Sequence, residues 1–392
     1  MADQPPGQEP LGLDVDVLTP VVRAAVRSDT ASITEWSVAP LRSDDVHFGG
    51  GKLFVVDGTA IDHGSAMRWS VVLKPVARED DERAMDASDR ADDYAYWRRE
   101  PLAYASGVLL DMPGGIAAPA CYGVVERSPD LYWIWLEHIT DTMPWPLERY
   151  GTAGRHLGSF NGGYLAGTPM PAVDWAASTR SIQSYWGAAH PFMAPAMELL
   201  GTPATWHRDE VRRAVDPLEL NALAAFFADQ DRYVEALEAL PQTFCHNDAL
   251  RPNLFARRTD GDDRTVAVDW QVAGHGPIGA ELAMLVAGSV LFFKVPAADV
   301  EEVAARAWAG YLRGLGAAGC VFDADEVRFG FTASVTARCG LLVASWLRNA
   351  LEDPEWVASV WGRPANEVVA QNAPLAAFLD RRAAEAHRLL GA

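Results

Sequence analysis

The segment Phe244-Cys245-His246-Asn247-Asp248-Ala249-Leu250-Arg251-Pro252-Asn253-Leu254-Phe255 constrains this chain more than any other stretch. Asp248 and Asn253 lie five positions apart between apolar flanks, and sixteen positions past Asn253 the run Val266-Ala267-Val268 delivers Asp269-Trp270. Short apolar runs around a polar loop predict strands that hold the loop's side chains in place. An H-x-D-x-x-x-x-N loop followed by a strand ending in Asp is an arrangement used to move a phosphoryl group from ATP. In it the first Asp orients and deprotonates an acceptor hydroxyl, while the Asn and the second Asp hold Mg²⁺ against the phosphates. Each part alone says little. Order, spacing and flanking strands together carry the reading.

On these residues the chain resembles the aminoglycoside phosphotransferase and choline kinase-like family of small-molecule kinases. Trp270 after the metal Asp fits that family better than protein kinases, and Asn247 stands where the family usually has Gly. Twelve positions beyond Asp269 comes Glu281-Leu282-Ala283, where the family usually reads Asp-Leu-Ala, the carboxylate bracing the catalytic loop. The resemblance implies an α+β, bilobal protein-kinase-like fold, with a small N-terminal lobe built on an antiparallel sheet and a larger, mostly helical C-terminal lobe. Along the chain it implies a disordered terminus over 1–12, a nucleotide-binding lobe over 13–138, and a helical lobe over 139–392 with the catalytic loop and acceptor site. It makes Asp248 the base, Asn253 and Asp269 the metal ligands, His246 an anchor of the loop and Glu281 its brace. ATP or GTP and Mg²⁺ are the implied cofactors.

Upstream, a helix is expected from Asp14 to Arg27, then strands over Ile33–Val38, Lys52–Val56 and Trp69–Lys74. Lys74 ends an apolar strand and reads as the lysine that contacts the α- and β-phosphates, its partner being a Glu on the next helix. A helix is expected from Asp92 to Leu110, and Trp97-Arg98-Arg99-Glu100-Pro101-Leu102-Ala103-Tyr104 resembles the family's R-E-x-x-x-Y segment, which assigns that partner to Glu100. The bland alternative makes Glu100 a solvated helix residue. Pro101 in a first turn would put Glu100 at the helix start. Gly49, Gly50 and Gly51 read equally as a phosphate-covering loop, whose glycines let backbone N–H groups approach an anion, or as a hairpin turn. Leu131–Ile139 falls where the family places its hinge. There Glu137 and Ile139 would meet the adenine edge by main chain and Trp135 would line the pocket; a buried strand without ligand contact is the alternative. Residues 78–93, rich in acids, look like a mobile solvated connector. Helices are expected over 149–163, 217–240, 296–315, 325–351 and 375–390.

Composition narrows the rest. With 33 basic against 53 acidic residues, a net charge of −20 and no Lys/Arg cluster, nucleic acid is an unexpected partner. The excess of acids fits simple solubility, or attraction of a cationic acceptor such as an aminoglycoside or amino sugar. The expected partner is a small hydroxylated molecule. Choline-like alcohols, homoserine-like acids, macrolides and sugars stay open, as does a catalytically silent nucleotide-binding pseudokinase; a metal-dependent hydrolase is disfavoured by the kinase spacing of Asn253. A monomer or homodimer is expected. No membrane association is expected, because Leu282–Phe293 is too short to span a bilayer and reads as a buried helix. Met1–Gly7 lacks a signal peptide's basic and apolar regions, which points to the cytoplasm. Four scattered cysteines predict neither a disulfide framework nor a zinc site. Cys245 reads as core, and His275 as structural or exposed.

Overall fold

The computed structural model describes residues 12–41, 53–78, 87–178, 182–187, 202–209, 220–259 and 261–391, with isolated positions between 189 and 198. Glycines 49–51 and most of the expected terminal segment lie outside the described residues. The α+β expectation is met: an antiparallel sheet forms the N-terminal part and helices dominate the C-terminal part. Two compact units divide the chain. The first holds Met1–Ala87, Glu100–Asp111 and Ala118–Thr140; the second holds Ser88–Arg99, Met112–Ala117 and Asp141–Ala392. Residues 88–99 and 112–117 group with the second unit.

In the first unit the strands β1 (Ser32–Pro40), β2 (Phe54–Asp62), β3 (Ser65–Ala77), β5 (Cys121–Ser128) and β6 (Leu131–Glu137) pair in the order β1-β2-β3-β6-β5, each pairing antiparallel. His63 and Gly64 turn the β2–β3 hairpin with φ of 46° and 82°. That geometry matches the right-handed twist of the strands it joins. The helix α1 (Val15–Val26) starts where the Asp14 carboxylate accepts from the Val17 N–H at 2.9 Å. It buries Leu18, Val21 and Val22 against Val71, Leu73, Trp133 and Trp135 on one sheet face. Strand alternation sends Val72 and Lys74, with their cross-strand partners Leu136 and Ile134, to the opposite face.

The expected helix over 92–110 is corrected. Only α2 (Arg99–Ala105) and a 3-10 turn at Val108–Leu110 form, because Gly107 at φ 76° ends the run. Pro101 sits in the first turn, with Glu100 at the helix start. Residues 88–97, the tail of the expected connector, are tied by Ser88 N–H to Ala95 C=O at 3.0 Å and Trp97 N–H to Ser88 C=O at 3.4 Å; residues 79–86 lie outside the described residues.

In the second unit α3 (Leu147–Leu165) precedes the catalytic segment. Then come α4 (Asn221–Ala228) and α5 (Gln230–Ala239), which break at Asp229 what the pattern over 217–240 predicted as one helix. The ribbon β7 (Gln242–Cys245) with β10 (Gly274–Pro277) and the hairpin β8 (Leu254–Thr259) with β9 (Asp262–Ala267) carry the loops of interest; β4 (Ile116–Ala117) adds in parallel to β9. The helices α6 (Glu281–Leu291), α7 (Val300–Ala317), α8 (Ala324–Glu352), α9 (Pro354–Trp361) and α10 (Ala365–Leu390) complete the unit. The helix expected to start at Leu375 instead runs through Pro374 from Ala365. By length and composition α8 would suffice to cross a membrane, yet 89% of its apolar window is buried within the molecule. It is a core helix.

Candidate active site

The loop over 246–253 leaves β7, closes in a single 3-10 turn at Arg251–Asn253 and enters β8, while Asp269 follows β9. Asn247 and Asp269 both take left-handed backbone, φ 64° and 66°. Asn is among the few side chains that tolerate that region. Here its amide donates to the carbonyls of Val272 at 3.1 Å and His275 at 3.3 Å, which offsets the strain. The departure from glycine is thus accommodated.

His246 is buried and fully used. Its Nε2–H donates to the Val268 carbonyl at 2.9 Å, so Nδ1 is left to accept from the Asp248 N–H at 3.1 Å. This tautomer leaves no proton-accepting nitrogen for substrate. The Glu281 carboxylate, at the start of α6, accepts from the backbone N–H groups of His246 and Asn247. Burial is the main force that pushes its acid up to about 7, and those two N–H groups pull it back down. On the far side of the loop Val268 N–H donates to the Asn253 carbonyl at 2.9 Å. Val268 is therefore stitched to both ends of the loop immediately before Asp269.

The Asn253 amide nitrogen donates to the Asp248 carboxylate at 2.9 Å and to its carbonyl at 3.0 Å. That turns the amide oxygen away from Asp248. Burial, and next the Asp269 carboxylate, raise Asp248 to about 7, while Arg338 and the Asn253 amide act the other way. Two carboxylates coupled in this way, with an amide oxygen beside them, form a hard-oxygen donor set. Such a set suits a hard cation that takes its remaining ligands from water and phosphate. The residues present fit magnesium.

In the first unit the Lys74 ammonium pairs with the Glu100 carboxylate at 2.6 Å, with Glu100 only 2% exposed. The alternative of a solvated Glu100 is excluded. Trp135 is corrected: it is fully buried in the α1-side core, on the sheet face away from Lys74. The residues that share the Lys74 face are Val72, Ile134 and Leu136. The Glu137 N–H donates to the Ala120 carbonyl at 2.8 Å and its carboxylate accepts from the Ala120 N–H, so both serve the sheet; Ile139 is buried.

Arg251 turns to a carboxylate, Asp141, and lies over the Trp145 ring at 4.2 Å. His275 is half-buried in β10, where Nδ1 donates to the Ala177 carbonyl at 3.1 Å. Cys245 is core, its thiol raised by burial. Two residues went unread in the sequence. Arg99, inside the recognised segment, donates to the carbonyls of Trp175, Tyr94, Gln271, Ala91 and Asp93 and so fixes the turn that follows Asp269. Arg338 is the sole charge between Phe329 and Leu347, a signal visible in the sequence.

These two constellations are the parts of a phosphotransferase acting on small molecules. A family model described as the phosphotransferase enzyme family matches residues 130–328, and the chain belongs to that family. No curated protein matches it in sequence. Among solved structures it is similar to a microcompartment-associated aminopropanol kinase, at 12% identity over 96% of this chain and 100% of that one, with a TM-score of 0.49. It is also similar to an aminoglycoside phosphotransferase from Alicyclobacillus acidocaldarius, at 14% identity, 92% and 93% coverage and a TM-score of 0.47. A choline/ethanolamine kinase family protein from Mesorhizobium loti gives 16%, 89% and 93%, and 0.43.

Proposed function

We propose that this phosphotransferase moves the γ-phosphoryl group of ATP or GTP to a hydroxyl of a small molecule, with Mg²⁺, in the cytoplasm. The observation that carries the reading is the assembly of Asp248, Asn253 and Asp269 on loops held by His246, Glu281 and Val268. Asp248 takes the acceptor's proton; the freed oxygen bonds to the γ-phosphorus as the bond to the β–γ bridging oxygen breaks, and the nucleoside diphosphate leaves. Magnesium, when bound by the Asn253 amide oxygen and the Asp269 carboxylate, supplies charge neutralisation on the phosphates. Lys74, oriented by Glu100, contributes a positive charge on the α/β side. The Glu137 carbonyl and the Ile139 main chain would meet the base, and Gly49 and Gly50 would approach the phosphates.

An aminated acceptor such as an aminoglycoside is supported only by the overall charge of −20, which is a property of the whole surface rather than of the site. The groups around Asp248 are a better guide to the acceptor, and they are taken up below. The test is release of ADP over a panel of hydroxylated acceptors, with the D248N variant alongside. Loss of about 10²–10⁴ in rate is expected, with calorimetric MgATP affinity close to the parent's. A D248N enzyme at parental rate with a verified acceptor would remove Asp248 from the chemistry.

A further inference from the structure

Arg338 lies midway along α8, only 5% exposed. Its helix packs on α6, where the Cys339 thiol lies 3.9 Å from the Ala283 carbonyl beside Glu281, the brace of the loop that carries Asp248; burial works against the Arg338 charge, while Tyr94 and then Asp248 favour it. Among the described residues, no carboxylate stands within the 4.0 Å of an ion pair with it. The Tyr185 hydroxyl donates to the main-chain carbonyl of Arg338 at 3.0 Å, so it orients the backbone rather than the guanidinium, and the Tyr185 ring meets the Tyr94 ring edge-on. Burial holds the Tyr94 hydroxyl neutral, so it brings no charge to the guanidinium.

A guanidinium carries five N–H donors in one plane, and a single neutral hydroxyl uses only part of them. A buried cation is costly unless an anion meets it with good geometry. Asp248 is too far to form that pair. Asp248 keeps partial exposure at the loop surface.

We propose that the Arg338 guanidinium binds a carboxylate of the acceptor, close to the hydroxyl that Asp248 deprotonates, which makes the acceptor a hydroxy acid. This rests on the phosphotransferase reading above. A planar carboxylate matches the fork of N–H donors, and one negative charge balances one guanidinium. A dianionic group would add repulsion beside Asp248, Asp269 and the nucleotide phosphates. An ammonium group in the same place would face Arg338 across a poorly solvated gap and be repelled. The site therefore opposes the cationic acceptor that the net charge alone suggests.

The experiment uses the full chain with MgATP and short hydroxy acids, each beside its own primary amide, together with amino alcohols, read by ADP release. The hydroxy acids are expected to exceed their amides at least tenfold in kcat/KM. In R338M the KM for the acid should rise at least tenfold while the KM for ATP holds, and the acid-to-amide ratio should fall towards one; R338K should recover part of it. A second reading needs no turnover: the hydroxy acid, but not its amide, should raise the unfolding temperature of the parent protein. Preference for amides or amino alcohols, equal loss on every acceptor in a folded R338M, or equal protection by acid and amide would overturn the proposal. Failure of MgATP to bind by calorimetry would instead overturn the phosphotransferase reading, since Arg338 is assigned no part in nucleotide binding. The acid-versus-amide comparison in the parent stands even if R338M does not fold.

Discussion

Asn247 shows how a single side chain can replace the freedom of glycine. Its backbone sits at φ 64°, and its amide clamps two carbonyls downstream of Asp269. Glycine at this position would relieve the left-handed strain but lose both hydrogen bonds, each worth about 1 kcal/mol. Alanine would lose the bonds and keep the strain. Denaturant titrations should therefore rank stability as parent above N247G above N247A, with the first step about 1–2 kcal/mol. N247G at or above the parent would show that the clamp contributes nothing.

At the scale of elements, α3 and α7 approach so closely that glycines form the contact. A Cβ on Gly158 would come within 2.1 Å of the Tyr311 carbonyl, and one on Gly314 within 2.1 Å of the Arg155 carbonyl. Both intruded atoms are backbone, so relief requires the helices to move apart. G158A should destabilise by about 1–3 kcal/mol, the usual range for overpacking, despite alanine's better helix propensity. Gly316, near the end of α7, faces open space. G316A should stabilise by up to about 1 kcal/mol through propensity alone. Thermal unfolding of the pair separates packing from propensity; matching shifts would mean that the close approach is not what Gly158 serves.

For the whole molecule, acid and base work in opposite directions through Asp248 and Glu281. Both carboxyls rise to about 7 in the folded chain, chiefly through burial. Folding then favours the protonated acids, so their stabilising contribution is complete below about pH 4, the range of an unburied carboxyl. It declines as pH climbs through 7, where both ionise inside the fold. Denaturant midpoints should fall between pH 5.5 and 8, and E281Q, which keeps an acceptor oxygen without the charge, should flatten that slope by on the order of 1 kcal/mol. A steeper slope in E281Q would contradict the assigned direction.

What could be read from sequence was whatever is local. The spacing of Asp248, Asn253 and Asp269 and the strand pattern ending at Lys74 depend on neighbours in the chain, and periodicity exposes them. The face on which Trp135 lies depends on its register against Leu73, a pairing across more than sixty residues. An aromatic strand looks the same from either side. The break at Asp229 and the passage through Pro374 are set by packing partners far along the chain, and local propensity gives them no signature. Arg338 was in plain view as a lone charge in an apolar stretch, but its neighbours arrive from four distant segments.

Arg99 carries a consequence for the order in which the chain assembles. Its five N–H groups each meet a carbonyl, three of them between residues 91 and 94, another at 175 and the last at 271. The bonds to 94, 91 and 93 close within eight residues, while those to 175 and 271 span 76 and 172. Contacts of such separation form only after the intervening chain has been drawn together. Until then the guanidinium is solvated and the turn that follows Asp269 is unanchored. The Arg99 cluster therefore ties residues far apart in sequence into one support, and a chain that stops short of residue 271 lacks the carbonyl that completes it.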